Sequence, residues 1–215
     1  MDNSIDDVLQ RMAHVLRRYV AHQEHSESHL ARLVGVTHPT IGRMLYPERQ
    51  GGDGVAIRNW LHALQLTGHL QPLVQGIERS VHERTSGQGM EEFVAFDNSP
   101  VNLTGGHTEP MNTEDEARIE TSLLRIGHAL RAALPASPTK SARQLAMKIG
   151  VAQPTLASLL SPSGDHAGGT AIRHFLVVSK VLGLGDVIVR LLPQTQPRHR
   201  PRRDDQAVSP SVVMG

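Results

Sequence analysis

Two short segments of this 215-residue sequence each place a set of hydrogen-bonding side chains directly after a glycine. The set after Gly35 comprises Thr37, His38, Thr40 and Arg43. The set after Gly150 comprises Gln153, Thr155 and Ser158, with Ala152 at the remaining position. The guanidinium of Arg43 offers a fork of donors, whereas the amide of Gln153 offers donors and an acceptor. This is the chemistry of recognition by hydrogen bonding rather than of bond cleavage.

Other chemistries have little support. The chain has no cysteine, which excludes disulfides, thiolate metal sites and thiol nucleophiles. The glycine-rich runs at 51–54 and 164–169 lack the Lys-Ser/Thr of a phosphate-binding loop, and no G-x-S-x-G motif is present. His22, His25 and His29 would share a face of one continuous helix, but a helix break is expected among them and no carboxylate completes the set. We therefore predict no enzyme activity, no cofactor and no metal site.

Composition limits the class of partner. Aromatic residues are only 3% of the chain, which disfavours proteins that stack single-stranded bases on aromatic platforms. No apolar run approaches the ~20 residues of a membrane span, so no membrane association is expected. The N-terminal MDNSIDD is acidic and unlike a secretion signal. These features predict a cytoplasmic protein.

Charge divides the chain into four parts. Residues 1–84 have net charge zero, and residues 85–113 contain four acids and no Lys or Arg. Residues 114–197 carry a net charge of +3, and residues 198–215 carry +2. We interpret these parts as a first folded domain, an acidic flexible linker, a second folded domain and a basic disordered tail. Only residues 93–96, within the linker, have the composition of a short strand.

The sequence contains an internal repeat. Residues 35–47 read GVTHPTIGRMLYP and residues 150–162 read GVAQPTLASLLSP, at an offset of 115. Held without gaps, this offset also pairs Leu30-Ala31 with Leu145-Ala146, and Ala56-Ile57-Arg58 with Ala171-Ile172-Arg173. Such self-similarity indicates a duplicated domain of about 75–80 residues, roughly 5–80 and 120–195, a size that can fold alone.

Local signals divide each copy into helices joined by tight turns. In the first copy, Ser26 or Ser28 can cap a helix that Gly35 ends in a left-handed conformation. Thr37 can cap the next helix, which has Pro39 in its first turn. A glycine-rich loop and a last apolar helix follow, and the second copy repeats these signals, except that Ala152 is a poorer cap than Thr37. The predicted fold class is all-α, with two repeated helix-turn-helix domains of four to five helices joined by a flexible linker.

Two segments carry a family resemblance. SHLARLVGVTHPTIGRML (28–45) and RQLAMKIGVAQPTLASLL (143–160) resemble the helix-turn-helix of Cro and lambda-repressor-like DNA-binding domains. The resemblance covers 27–67 and 142–182, and it departs from the family pattern in the proline early in each second helix. It implies a DNA-binding transcriptional regulator, such as a repressor, that binds double-stranded DNA.

The resemblance also implies which residues meet DNA. The second helix of each motif would enter a major groove about 12 Å wide, with its first turn facing base edges. There Arg43 could pair with guanine and Gln153 with adenine. The other base-facing candidates are Thr37, His38, Thr40, Thr155 and Ser158. Candidate phosphate contacts are Ser28, Arg32, Lys140, Ser141, Arg143 and Lys148, together with Arg58 and Arg173, for which a structural ion pair is an equal alternative.

Several arrangements and functions stay open at this point. One chain could imitate the usual dimer and read an imperfect palindrome if its copies pack together, or a direct repeat if they do not. A homodimer would present four reading heads. A rival is a protein-interaction module, such as an antitoxin or anti-activator, because Glu24, Glu27 and Glu48 lie near the expected DNA face. A third candidate is a plasmid-partition or centromere-like binder. The DNA-binding hypotheses predict a nucleoid-associated protein, with a protein partner as a further possibility.

Overall fold

The structure is a computed structural model that describes residues 5–86, 112–160 and 168–193. Within these ranges the chain is all-helical and contains no strand, as the sequence predicts. None of the described helices combines the length and the apolar character needed to cross a membrane. The predicted strand at 93–96 and the basic tail at 198–215 lie outside the described residues, as does most of the acidic linker.

The helices fall into two halves. The first half contains α1 (Ile5–Gln23), α2 (Glu27–Val34), α3 (His38–Leu45), α4 (Pro47–Gln50), α5 (Ile57–Leu66) and α6 (Leu70–Ser86), with a 3-10 turn at Gly52–Gly54. The second half contains α7 (Thr113–Ala133), α8 (Ala142–Ile149), α9 (Gln153–Leu160), α10 (Ile172–Val181) and α11 (Gly185–Leu191). Adding 115 to the bounds of α2, α3 and α5 gives the bounds of α8, α9 and α10 at both ends.

The predicted ends of α2 and α8 are confirmed. The Ser26 hydroxyl accepts a hydrogen bond from the His29 amide at the start of α2, and Ser141 caps α8 in the same way. Gly35 and Gly150 end these helices with φ of 72° and 67°, a region that costs a residue with a Cβ about 1 kcal/mol or more. Each turn is therefore short and fixed in direction.

The glycine-rich stretch after α3 is more ordered than the expected loop. Helix α4 comes directly before this stretch, Gly51 ends α4 with φ of 71°, and Gly52–Gly54 form the 3-10 turn. Gly52 is buried so tightly that a Cβ there would lie 2.5 Å from the Arg43 carbonyl oxygen and 2.5 Å from the Pro47 Cβ. A glycine is required at this position because the chain folds back directly against the end of α3.

The two halves share one continuous apolar core. Trp60, the one tryptophan in the chain, is fully buried within it. Helix α6 packs along α7, and α11 packs against both α6 and α1. The fit is close where Gly76 of α6 meets Leu191 of α11, since a Cβ on Gly76 would fall 2.4 Å from a Leu191 methyl carbon.

Two backbone hydrogen bonds join the halves at the starts of α5 and α10. The Ile57 amide donates to the Thr170 carbonyl at 2.7 Å, and the Ile172 amide donates to the Val55 carbonyl at 2.8 Å. The N-cap residues of these helices are Ala56 and Ala171, which have no side chain able to accept a hydrogen bond. The first amide of each helix therefore obtains its partner from the other half of the molecule.

Arginine side chains reinforce this junction. Arg125 of α7 forms a two-point ion pair with Glu78 of α6, at 2.8 and 2.5 Å. Arg84 of α6 donates to the carbonyls of Leu182 and Gly183 at 3.1 and 2.6 Å. Charge-assisted bonds of this kind are stronger than neutral ones and align the two helices that carry them.

A substitution at Gly52 tests the close packing behind α3. Gly52→Ala should lower the free energy of unfolding by about 1–3 kcal/mol, because the new methyl group would meet backbone atoms that cannot move aside. Urea unfolding followed by the fluorescence of buried Trp60 measures this. Gly54→Ala is the matched control, since a Cβ there has no atom within 4 Å. Equal stability of the two variants would contradict the packing described here.

Two buried histidines predict how stability depends on pH. Burial lowers the pKa of His69 below its ordinary value near 6.5, and the hydrogen bond of His69 to the Thr67 carbonyl only partly offsets this. Burial likewise lowers the pKa of His62, against the opposing charge of Glu116. The unfolded chain then binds more protons than the folded one, so stability is lost as the pH falls through 6.5.

Urea midpoints at pH 7.5 and 5.5 measure this effect. The loss between them should shrink in His69→Gln by up to about 1.4 kcal/mol, the free-energy equivalent of the one pH unit between the ordinary pKa and pH 5.5. His82→Gln, on the exposed side of α6, provides the control and should keep the wild-type difference. An unchanged difference in His69→Gln would show that His69 is not responsible.

Candidate nucleic-acid interface

The first candidate surface is carried by unit one, which we define as residues 26–45 (α2, the turn at Gly35, and α3). Ile41, Met44 and Leu45 of α3 are buried, with exposed fractions of 2% or less. These apolar side chains hold α3 against α2 and α1. The polar side chains on the remainder of the helix are exposed or half-buried; they are Thr37, His38, Thr40 and Arg43.

The second candidate surface is carried by unit two, residues 141–160 (α8, the turn at Gly150, and α9). Leu156, Leu159 and Leu160 form its buried floor, and α9 packs against α8 and α7. Gln153 is exposed, and Thr155 and Ser158 are half-buried. The structure therefore brings the predicted base-facing residues of each unit together on the outer side of one short helix.

Hydrogen bonds within the units occupy some of these groups. Thr37 is the N-cap residue of α3, but its side chain accepts no hydrogen bond from the amides of the first turn. Its hydroxyl lies 2.9 Å from the Thr40 hydroxyl instead. Ser158 donates to the Pro154 carbonyl of its own helix at 3.0 Å. Within the described residues Arg43 and Gln153 make no such contact, so both keep their hydrogen-bonding capacity for a partner.

The candidate phosphate contacts lie around the two units. Ser28 and Arg32 are exposed on α2, as are Arg143 and Lys148 on α8. Ser141 is the cap of α8, and it leaves other amides of the first turn able to bind an anion. Lys140, just before it, is exposed and has a left-handed backbone with φ of 46°.

Arg58 and Arg173 have partners at the junction between the halves. The Arg58 guanidinium pairs with Glu120 and lies 3.8 Å from Glu116, both on α7. Arg173 lies 3.1 Å from Asp53 of the first half. This is the structural ion pair that the sequence analysis left as the alternative to a phosphate contact.

The two units differ in electrostatic character. Unit two contains Arg143 and Lys148 and no acid, whereas unit one contains Arg32 and Arg43 together with Glu27. In unit one the Glu27 carboxylate lies 3.9 Å from the His38 ring and accepts a hydrogen bond from the Tyr46 hydroxyl at 3.3 Å. Unit two therefore presents the more favourable surface to a polyanion.

One positioning residue was missed by the sequence analysis. Arg17 of α1 donates to the Leu45 carbonyl at 2.6 Å, at the end of α3. A cation at this point satisfies a helix-terminal carbonyl and complements the negative end of the helix dipole. The basic pair Arg17-Arg18 in an otherwise amphipathic helix was the available signal. The equivalent residue in the second half is Ala132, so α9 lacks this anchor.

The comparisons with known proteins add nothing to this geometry. No family model, curated protein or solved structure matches the chain. Among the described residues no three His, Asp or Glu side chains converge as metal ligands would. His22, His25 and His29 do not lie on one helix, because α1 ends at Gln23 and the ring centroids of His25 and His29 lie 4.2 Å apart beyond it.

Loss of the Arg17 anchor should loosen α3. We expect Arg17→Met to lower the free energy of unfolding by about 1–3 kcal/mol, because a charged hydrogen bond to a helix end is lost. Hydrogen exchange should also become faster in the last turn of α3. Arg18→Met removes the same charge from the adjacent exposed position and serves as the control. Matching stabilities and exchange rates in the two variants would exclude the anchor.

Proposed function

We propose that the chain is a sequence-specific transcriptional regulator that binds double-stranded DNA through unit one and unit two. The observation that carries the proposal is the recurrence, at one offset, of two short helices joined by a left-handed glycine, with an apolar floor and a polar outer side. This is the geometry that places a second helix in a major groove. The exposed cations Lys140, Arg143 and Lys148 at α8, with no acid in unit two, add electrostatic support.

Each unit would read different bases. In unit one the exposed guanidinium of Arg43 suits guanine O6 and N7, and in unit two the exposed amide of Gln153 suits adenine N6 and N7. The exposed cations Arg143 and Lys148 of α8 would contact phosphates and set the position of α9. We leave Arg58 and Arg173 out of the proposed interface, because their guanidiniums already have carboxylate partners at the junction.

A protein-interaction role is the second candidate, and one observation favours it for unit one. Glu27 lies on the same face as His38, at 3.9 Å, and its carboxylate side chain is 37% exposed. A carboxylate in this position would repel a phosphate backbone but would suit a basic protein surface. In that case unit two alone would bind DNA, and unit one would hold a partner such as an activator or a toxin.

Selection of bound duplexes separates these functions. The 215-residue chain is mixed with random and genomic duplexes, and the bound fragments are sequenced. The salt concentration is held at about 0.15 M, because phosphate-driven affinity falls steeply with salt. Enrichment of a motif with two unlike halves supports the regulator. A motif with a single half supports the mixed role, iterated sites support a partition-type binder, and no retained DNA would sink the proposal.

Two alanine variants test the assigned contacts. On the selected duplex, Arg43→Ala should cost about 1–3 kcal/mol and relax the preference at one base pair. Lys148→Ala should weaken binding to all sequences alike and reduce the salt slope by about one, since a phosphate contact carries no sequence information. Quantitative binding to a panel of single-base-pair variants measures both effects.

Arg79→Ala removes a charge from the exposed side of α6 and controls for net charge alone. A variant panel in which Arg43→Ala keeps the wild-type base preference would remove Arg43 from the reading residues. A sequence-selective loss in Lys148→Ala would contradict its assignment to a phosphate.

A further inference from the structure

The contact between the two halves is reciprocal. At the offset of 115, Ile57 is equivalent to Ile172 and Val55 is equivalent to Thr170. The hydrogen bond from the Ile57 amide to the Thr170 carbonyl is therefore equivalent to the bond from the Ile172 amide to the Val55 carbonyl. Between these bonds the isolated antiparallel bridge pairs Ala56 with Ala171, which are themselves equivalent positions. In a contact with two-fold symmetry, each copy uses the same surface, so every bond between two residues recurs between their equivalents in the other copy. A translational repeat would pair unlike surfaces instead.

The conformations at the bridge agree with this symmetry. Ala56 has φ and ψ of −56° and 139°, and Ala171 has −58° and 137°. The helix contacts are also exchanged: α6 packs on α7, while α11, which starts at the position equivalent to the start of α6, packs on α1. Helices α5 and α10 contact each other across the centre. The two halves therefore pack about an approximate two-fold axis.

The side chains that cross the axis are unlike, although their backbones are equivalent. Arg173 reaches Asp53 of the first half. The equivalent Arg58 reaches Gly168, the counterpart of Asp53, so closely that a Cβ there would lie 2.6 Å from the Arg58 Nε. Without a carboxylate at 168, the Arg58 guanidinium instead pairs with Glu120. The two-fold relation is thus present in the backbone and broken in the chemistry.

We infer that one chain acts as a complete intramolecular pair, which binds an inverted pair of unlike half-sites in a single orientation and without a second copy. This inference rests on the proposed function. A two-fold pair of helix-turn-helix units presents its second helices to inverted half-sites. Because α3 carries Arg43 and α9 carries Gln153, the two half-sites differ, and turning the DNA site around would place each unit on the wrong half.

A disulfide placed at the bridge tests the arrangement. Ala56 and Ala171 form the pair that does not itself exchange hydrogen bonds, for which the Cα atoms of antiparallel chains lie about 4.5 Å apart, within the range of a disulfide. The chain has no other cysteine, so Ala56→Cys/Ala171→Cys gives one defined product. We expect spontaneous formation of an intramolecular disulfide, measured by thiol titration and by mass. Ala56→Cys alone controls for dimers linked between chains.

Binding is then measured on the duplex selected with the wild-type chain. The oxidised double variant should bind within about twofold of its reduced form, with one chain per duplex by native mass spectrometry. A duplex in which one half-site is reversed, giving a direct repeat, should bind at least about tenfold more weakly, because several contacted base pairs become mismatched. An iron chelate attached through Met147→Cys, at an exposed position of α8, should cleave the DNA at one half-site only.

The outcomes separate this inference from the proposed function. Failure to form the intramolecular disulfide overturns the two-fold packing, whatever the chain binds. Four outcomes overturn the intramolecular pair but leave a DNA-binding regulator. They are loss of DNA binding in the oxidised form only, two chains per duplex, cleavage at both half-sites, and equal binding to the direct repeat. If no duplex is enriched by either form, the proposed function fails, and the inference fails with it.

Discussion

Two amide groups, those of Ile57 and Ile172, impose the main constraint on this structure. Each is the first amide of a buried helix start, each follows an alanine that cannot cap it, and each is satisfied only by a carbonyl of the other half. A buried amide without a partner costs about 1–3 kcal/mol. Each half therefore supplies the carbonyl that caps a helix of the other half, α5 in the first and α10 in the second. The shared core, the α6–α7 packing and the arginine contacts join the same two halves.

The reciprocal cap also explains why the candidate interface has its particular form. In each half, the first helix of the unit packs against the central helix, α2 against α5 and α8 against α10. Fixing α5 against α10 thus fixes two polar surfaces relative to each other. The surfaces themselves are free to differ, because their apolar floors, Ile41 and Leu45 in one and Leu156 and Leu160 in the other, provide the packing.

Sequence reasoning succeeded where the signal is local. Ser26, Gly35 and Gly150 act through their own backbone or their nearest amides, and the all-helical class follows from spacing that recurs along each copy. It was less successful where a residue serves a distant partner. The stretch at 51–54 was expected to be a loop because its glycines resemble those of a turn. In the structure, Gly52 lies so close to the Arg43 carbonyl oxygen that no Cβ fits at this position. Arg17 is a similar case, since only the tertiary structure shows that it ends on α3.

The way in which the two halves pack against each other could not be predicted from the sequence. The repeat predicts two similar units but not which of their surfaces meet. The apolar positions of α6, α7 and α11 predict that these helices are buried, but not which helix each one packs against. For the candidate interface, the exposed positions of Arg43 and Gln153 agree with the expectation, whereas Arg58 and Arg173 could not be assigned from sequence. An arginine at a helix start serves equally well for a phosphate or a carboxylate, and only the structure shows that Glu120 and Asp53 lie beside these two.

The contrast between Asp53 and Gly168 shows what joining two copies in one chain permits. In an assembly of identical subunits every substitution arises twice, so a change that suits one side of the axis is forced on the other. Here the same backbone position carries a carboxylate on one side and no side chain on the other, and the arginine opposite each has found a different partner. Each half can therefore carry a substitution that the other lacks, so two equivalent surfaces of one chain can differ in charge while their backbones remain matched.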